Sequence, residues 1–124
     1  MRTILVIEDE FDVQQVLADV LRDEGYEVSV CGNGREALAC LRKQRPDLVI
    51  MDMMMPILSG LQVLEELEKS PDLKDVPVIL MSETALPASE PRRWRVLLRK
   101  PFRLEQLLEA VARVSPGGAS AGSR

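Results

Sequence analysis

Polar side chains that could carry out chemistry stand directly after short apolar segments in this sequence. Glu8 and Asp9 follow the first such segment, and Asp52 ends the third. Ser82 and Lys100 follow two later segments. Carboxylates that converge in one place repel each other unless a cation lies among them. The pattern therefore predicts a site that combines carboxylates, a hydroxyl group and a lysine.

The available ligand types favour a hard divalent cation at such a site. The sequence contains no histidine, and its two cysteines, Cys31 and Cys40, fit no metal-binding spacing. We therefore expect no zinc site and interpret both cysteines as reduced, partly buried thiols. Oxygen ligands alone favour Mg²⁺, which keeps several waters and bridges carboxylates to phosphate oxygens.

Asp52 is the candidate nucleophile. A carboxylate beside Mg²⁺, with a lysine and a hydroxyl group ready to hold phosphate oxygens, is suited to phosphoryl transfer. Lys100 would supply a compact positive charge and Ser82 the hydroxyl group. The sequence has no GxxxxGK[ST] loop, and no GxGxxG segment follows its first apolar run. A covalent phosphoryl adduct is therefore favoured over a bound nucleotide.

Five short apolar runs predict the β-strands that must position these residues. The predicted strands are 3–8, 26–31, 47–52, 76–81 and 95–99. Helices are predicted between most of them and after the last, from apolar residues at helical spacing. These apolar positions are Val13, Val16, Leu17, Val20 and Leu21, then Ala37, Leu38 and Leu41, then Leu61, Leu64 and Leu67, and finally Leu104, Leu107, Leu108 and Val111.

Strands that alternate with helices of this length predict a parallel sheet with helices on both faces, because each crossover must be long and right-handed. Five such units give an α/β, flavodoxin-like, doubly wound domain with strand order 2-1-3-4-5. In that architecture ligands bind at the carboxyl ends of the strands, where the strand order reverses. The predicted polar residues all fall at that edge.

Length and composition limit the classes of function. The 124 residues allow one domain, which we predict over 1–114, followed by a flexible Gly/Ser-rich tail over 115–124. The net charge of −4 offers no basic surface for nucleic acid. No apolar run approaches the roughly 20 residues of a membrane span. We therefore expect a cytoplasmic protein that contacts neither nucleic acid nor membrane.

Over residues 2 to about 114 the sequence resembles the response-regulator receiver domains of two-component signalling. The resemblance rests on Glu8 and Asp9 after the first strand, on the DxxMPxxxG segment over 52–60, on Ser82, and on the Lys-Pro-Phe segment over 100–102. Four separate signals in the right order are more specific than any one of them. A chemotaxis-regulator-like receiver is implied, either stand-alone or separated from a larger protein.

The resemblance also implies the chemistry. Asp52 would accept a phosphoryl group from a histidine kinase or phosphotransfer protein, and Lys100 would pair with the phosphoryl oxygens. The implied Mg²⁺ ligands are Glu8, Asp9, Asp52 and the backbone carbonyl of Met54. The bond between Lys100 and Pro101 is expected to be cis.

A domain of this family is a phosphoacceptor switch and not an enzyme, with self-phosphorylation and slow self-dephosphorylation at most. It acts on a downstream protein partner or effector domain, and homodimerisation is left open.

The residues on the output side depart from the family. Ser82 is expected to act as the switch hydroxyl, but the stretch between it and Lys100 is short and contains Pro87 and Pro91. The helix that usually follows the fourth strand is therefore predicted to be shortened, irregular or absent. Leu97 stands where the family usually has Tyr or Phe, so the usual coupling of Ser82 to the output face is in doubt.

Glu83 is a further departure, and it keeps other functions open. The position after the switch hydroxyl is commonly small, so a carboxylate there could narrow access to Asp52 or repel a phosphodonor. An alternative function is a phosphorylation-independent protein-interaction domain that retains the receiver fold. An independent phosphatase is weakly supported, because Met54 stands two residues after Asp52, where a second acid or base would be needed.

Overall fold

The protein is described by a computed structural model that covers residues 2–85 and 94–114. Within these residues, strands and helices alternate over most of the chain. In order, they are β1 (Thr3–Ile7), α1 (Phe11–Asp23), β2 (Glu27–Cys31), α2 (Gly34–Lys43), β3 (Leu48–Asp52), α3 (Gly60–Lys69), β4 (Val78–Ser82), β5 (Val96–Arg99) and α4 (Leu104–Val114).

The strands form one parallel sheet in the order β2-β1-β3-β4-β5, which confirms the predicted fold and strand order. The register sets which strand ends lie side by side. Ile7 of β1 pairs with Met51 of β3, so the next residues, Glu8 and Asp52, lie level with each other. The sheet therefore brings the first two acidic segments to the same edge.

Helices cover both faces of the sheet. Ile4 and Val6 of β1 pack with α1 and α4 on one face, and Leu5 and Ile7 pack with α2 and α3 on the other. β3 and β4 alternate in the same way. Because both faces are buried, these strands are nearly continuous apolar runs, as expected for parallel sheets.

The buried face of α1 differs from the predicted one. Its buried residues are Gln14, Leu17, Ala18 and Leu21. Val16, predicted to be in the core, is 51% exposed. The predicted and observed stripes share Leu17 and Leu21 and differ by a small rotation about the helix axis. The small side chain of Ala18 fits the side of α1 that lies against the sheet, so packing selects that face.

β4 begins and ends later than predicted. It runs from Val78 to Ser82 and not over 76–81. Pro77 has no N–H group to donate to the ladder, although its carbonyl accepts the N–H of Val49 at 3.0 Å. Ser82 is thus the last residue of the strand and is fully buried.

The sequence predicted that the helix between β4 and β5 is shortened, irregular or absent. No helix is assigned to residues 83–85 or 94–95, and residues 86–93 lie outside the described residues. The predicted tail, 115–124, also lies outside them. Among the helices of the described ranges, none combines the length and apolar composition that crossing a membrane requires.

Gly34, the first residue of α2, packs against the loop between β3 and α3. A Cβ atom at Gly34 would lie 2.7 Å from the Cβ of Leu58 and 2.9 Å from the Cγ2 of Val63. At Gly32 the nearest atom to an added Cβ would be the Glu36 Oε1, at 3.7 Å. The two glycines therefore differ sharply in the space around them.

We predict that Gly34→Ala lowers the free energy of unfolding by about 1–3 kcal/mol, because overpacking forces neighbouring groups to move. Gly32→Ala is the matched control and should stay within about 0.5 kcal/mol of wild type. Urea unfolding followed by the fluorescence of Trp94, the only tryptophan, measures both. Equal losses in the two variants would contradict the prediction.

Candidate functional site

The sheet ladder continues past the strand ends and fixes the backbone of the site. The N–H of Glu8 donates to the Cys31 carbonyl at 3.0 Å, and the N–H of Lys100 donates to the Ser82 carbonyl at 2.7 Å. Between them, the N–H of Met53 donates to the Met81 carbonyl at 2.8 Å. Glu8, Asp52 and Lys100 are therefore presented from ordered backbone at one edge of the sheet.

Three carboxylates meet at this edge. One oxygen atom from each of Glu8, Asp9 and Asp52 lies within 4.8 Å of the other two. Glu8 and Asp52 are buried, whereas Asp9 is exposed. An all-oxygen group at this spacing fits a hard divalent cation, and the exposed Asp9 leaves one side open to water and to phosphate oxygens. The cluster is a candidate site for a divalent cation.

Lys100 faces the two buried carboxylates. Its Nζ atom lies 3.4 Å from the Glu8 Oε1 and 3.3 Å from the Asp52 Oδ2. The lysine side chain is 19% exposed, so it reaches the site from the solvent edge. Burial by itself lowers the pKa of Lys100, but the charges of Glu8 and Asp52 outweigh burial and hold that pKa above its ordinary value. Lys100 therefore remains a cation.

Glu8 has the most strongly shifted pKa of any carboxyl group among the described residues. Burial is the main reason that the pKa of Glu8 is raised to about 7, and the charge of Asp52 acts in the same direction. The N–H of Glu10, which donates to the Glu8 Oε2 at 3.1 Å, and Lys100 act in the opposite direction. A divalent cation would favour the ionised form of Glu8, since metal ligands bind deprotonated.

The loop after β3 holds Asp52 in place. Its Oδ1 atom accepts the N–H of Met54 at 3.3 Å, while its Oδ2 atom faces Lys100. The N–H of Gly60 donates to the Met53 carbonyl at 2.8 Å, and a Cβ atom at Gly60 would lie 2.8 Å from the Asp52 carbonyl oxygen. Gly60 thus lets α3 start directly against the backbone of Asp52.

Gln14 is a supporting residue that the sequence analysis missed. Its buried side-chain amide donates to the Glu8 carbonyl at 3.0 Å and to the Cys31 carbonyl at 3.1 Å. It therefore ties the ends of β1 and β2 together beside the acidic site. Gln14 lies at i−3 and i−4 from Leu17 and Ala18, and that spacing was the signal available in the sequence.

The hydroxyl group of Ser82 points toward the following loop. It donates to the Thr84 carbonyl at 2.7 Å and accepts the Thr84 N–H at 3.0 Å. Leu97 is half-buried against the core on the side of α2 and α3. Glu83 is exposed and, with Lys100, lines a groove of about 640 Å³ beside the site. The bond between Lys100 and Pro101 is cis.

The response regulator receiver domain is the family whose sequence profile matches this chain, over residues 4–112. The chain belongs to that family. It is a receiver domain of the kind found in two-component systems, as the resemblance predicted.

This chain matches some curated relatives over nearly their whole length and others over only part of it. The polar-differentiation response regulator DivK of Brucella anthropi is 30% identical over 114 residues, which are 89% of this chain and 93% of DivK. The probable transcriptional regulatory protein TcrX of Mycobacterium tuberculosis is 37% identical over 113 residues, 86% of this chain but 46% of TcrX. This receiver domain thus spans about half the length of several of the curated relatives it matches.

A solved relative carries ligands relevant to the site. The response regulator protein TrrA of Thermotoga maritima, in complex with Mg(2+)-BeF, is 34% identical, with a TM-score of 0.83. The alignment covers 92% of this receiver domain and 99% of TrrA.

Glu8 should make the metal-free receiver domain less stable as the pH rises. The pKa of Glu8 is about 7 in the folded protein, against 4.5 for an ordinary glutamate. Because the folded protein binds the Glu8 proton more tightly than the unfolded chain, protonated Glu8 adds to the free energy of unfolding. This contribution is fully present below pH 4.5 and is lost as the pH rises through about 7. The free energy of unfolding is expected to fall by an amount on the order of 2–3 kcal/mol.

Urea unfolding at a series of pH values, with a chelator present, measures this loss in wild type and in Glu8→Gln. The variant has no ionisable group at this position, so its stability should fall less over the same range. Identical pH profiles for the two proteins would contradict the prediction.

Proposed function

We propose that this receiver domain accepts a phosphoryl group on Asp52 from a histidine kinase or a phosphotransfer protein, with Mg²⁺ bound beside it. The observation that carries the proposal is the convergence of Glu8, Asp9 and Asp52 with Lys100, whose Nζ atom lies within 3.4 Å of two of the three carboxylates. A carboxylate in such surroundings is suited to attack phosphorus.

Asp52 is a better nucleophile than its neighbour Glu8. The Glu8 side chain is fully buried, and both its oxygens have partners, Lys100 and the N–H of Glu10. The Asp52 side chain is 9% exposed, and its contact with the Met54 N–H is long, at 3.3 Å. An incoming phosphorus atom must reach an oxygen from the solvent side, and Asp52 offers that access.

The proposed Mg²⁺ ligands are Glu8, Asp9, Asp52 and the backbone carbonyl of Met54. Bound there, the ion would neutralise charge on the transferring phosphoryl group. The complex of TrrA with Mg(2+)-BeF supports this assignment, because that relative shares 34% of its residues with this receiver domain. The all-oxygen ligand set supports Mg²⁺ over softer metals.

The transfer itself forms one bond and breaks one. An oxygen of Asp52 attacks the phosphorus atom, and the bond from phosphorus to the donor's leaving group breaks as the acyl phosphate forms. Lys100, held beside Asp52 before the reaction, would then face the phosphoryl oxygens. Its fixed position means that little rearrangement is needed as negative charge develops.

The phosphorylated domain would act on a downstream protein partner or effector domain. The alternative, an interaction domain that never uses phosphorylation, is not favoured, since the described residues supply the acids and the lysine that the chemistry needs. That alternative gives no role to the buried carboxyl groups of Glu8 and Asp52, although burying such groups costs free energy.

Asp52→Asn should abolish phosphorylation by a small-molecule donor. After incubation with acetyl phosphate and Mg²⁺, the intact mass of wild type should increase by one phosphoryl group, and omission of Mg²⁺ should prevent the increase. Asp19→Asn, the same change at an exposed acid of α1, should behave as wild type. Equal labelling of Asp52→Asn and wild type would overturn the proposal.

Ser82 is proposed as the switch residue. Its hydroxyl group is engaged with Thr84 in this structure, through bonds of 2.7 Å and 3.0 Å. A phosphoryl group on Asp52 offers strong acceptor oxygens. Turning the hydroxyl toward that group would release the N–H of Thr84 and loosen the start of the loop after β4.

The amide proton of Thr84 should therefore exchange faster with solvent after phosphorylation. Hydrogen exchange by NMR, with and without Mg²⁺ and beryllofluoride as a stable phosphoryl mimic, measures the change. The Glu36 N–H is the control, because it is bonded to the Asn33 side chain at 2.9 Å, at the start of α2. Unchanged exchange at Thr84 in a protein that binds the mimic would contradict the switch assignment.

A further inference from the structure

Two thiols are in direct contact outside the acidic site. The Sγ atoms of Cys31, at the end of β2, and Cys40, in α2, are 3.2 Å apart. Cys31 is buried in the core on the side of α2 and α3, whereas Cys40 is exposed. Both are free thiols. The pair thus combines one sulfur that solvent reaches with one that it does not.

The local fold holds the two sulfurs together. The side chain of Asn33 accepts the N–H of Glu36 and starts α2 directly after β2, so the helix runs back along the strand. The backbone of Cys31 is fixed as well, because its carbonyl accepts the N–H of Glu8 and the side chain of Gln14. The two sulfurs are therefore brought into contact by β2 and α2, whose backbones are both held by hydrogen bonds.

A disulfide is within reach of this geometry. A disulfide bond is about 2.0 Å long, so the two sulfurs must approach by roughly 1 Å. Cys40 is exposed on α2, so the side chain that must move is the one outside the core.

We propose that Cys31 and Cys40 form a reversible redox site, which a low-molecular-weight disulfide converts into an intramolecular disulfide. In the first step, the thiolate of Cys40 attacks one sulfur of the reagent, a mixed disulfide forms, and one thiol leaves. In the second step, the sulfur of Cys31 attacks that of Cys40, and the second thiol leaves with the proton of Cys31. One protein dithiol and one reagent disulfide thus give one protein disulfide and two thiols.

The burial of Cys31 determines the order of these steps. Burial, together with the contact to Cys40, raises the pKa of the Cys31 thiol to about 12. A thiol that is so weakly ionised is a poor nucleophile toward reagents in solution. Its attack on Cys40 remains accessible because the two sulfurs are already in contact, which raises their effective concentration. Cys40 is therefore the entry point and Cys31 the resolving thiol.

The test exposes the reduced 124-residue chain to oxidised glutathione, then traps the remaining thiols with iodoacetamide in denaturant and measures the intact mass. Wild type should lose the mass of two hydrogen atoms and carry neither glutathione nor alkyl groups. Cys31→Ala should instead retain one glutathione on Cys40. Cys40→Ser should gain no glutathione and keep Cys31 open to alkylation.

Reduction with dithiothreitol should return wild type to two alkylated thiols. Wild type that retains glutathione as Cys31→Ala does would show that Cys31 does not resolve the mixed disulfide, and it would overturn the proposal. So would a disulfide between two chains, or wild type that stays fully alkylated under conditions that modify Cys31→Ala.

Discussion

The carboxyl groups of Glu8 and Asp52 lie inside the protein, at the ends of two neighbouring strands, where water would screen the repulsion between their charged forms poorly. The parallel register forces this arrangement, because Ile7 and Met51 pair directly and the acids come next in each strand. Lys100 offsets part of the repulsion from 3.3–3.4 Å away. The remaining negative charge calls for a divalent cation. The rest of the site, including Gln14 and the Met54 N–H, holds this charged group in position.

The sequence carried enough information to predict the fold and to collect the candidate residues. The strands are recognisable because both faces of the sheet are buried, which makes β1, β3 and β4 short apolar runs with sharp polar ends. Parallel strands share one carboxyl edge, so Glu8, Asp52 and Lys100 could be assigned to one place without knowing any distance. The roles of these residues in catalysis and metal binding are still predictions.

Finer features depended on packing between distant parts of the chain. Two apolar stripes overlap on α1, and only contact with the sheet decides that Gln14 is buried and Val16 is exposed. The hydroxyl group of Ser82 is bonded to Thr84, and the sequence alone does not indicate this contact. The contact between Cys31 and Cys40 likewise depends on how α2 lies along β2, which residue spacing alone does not determine.

The order in which the chain is synthesised gives the ion pairs of Lys100 a further consequence. Lys100 lies 92 residues after Glu8 and 48 residues after Asp52, in the segment that follows the edge strand β5. A nascent chain that ends before β5 already contains both carboxylates but not their lysine. The acidic site therefore lacks its lysine on the ribosome until β5 has emerged and joined the sheet. The full arrangement of charges at this edge thus forms only when all five strands are in place.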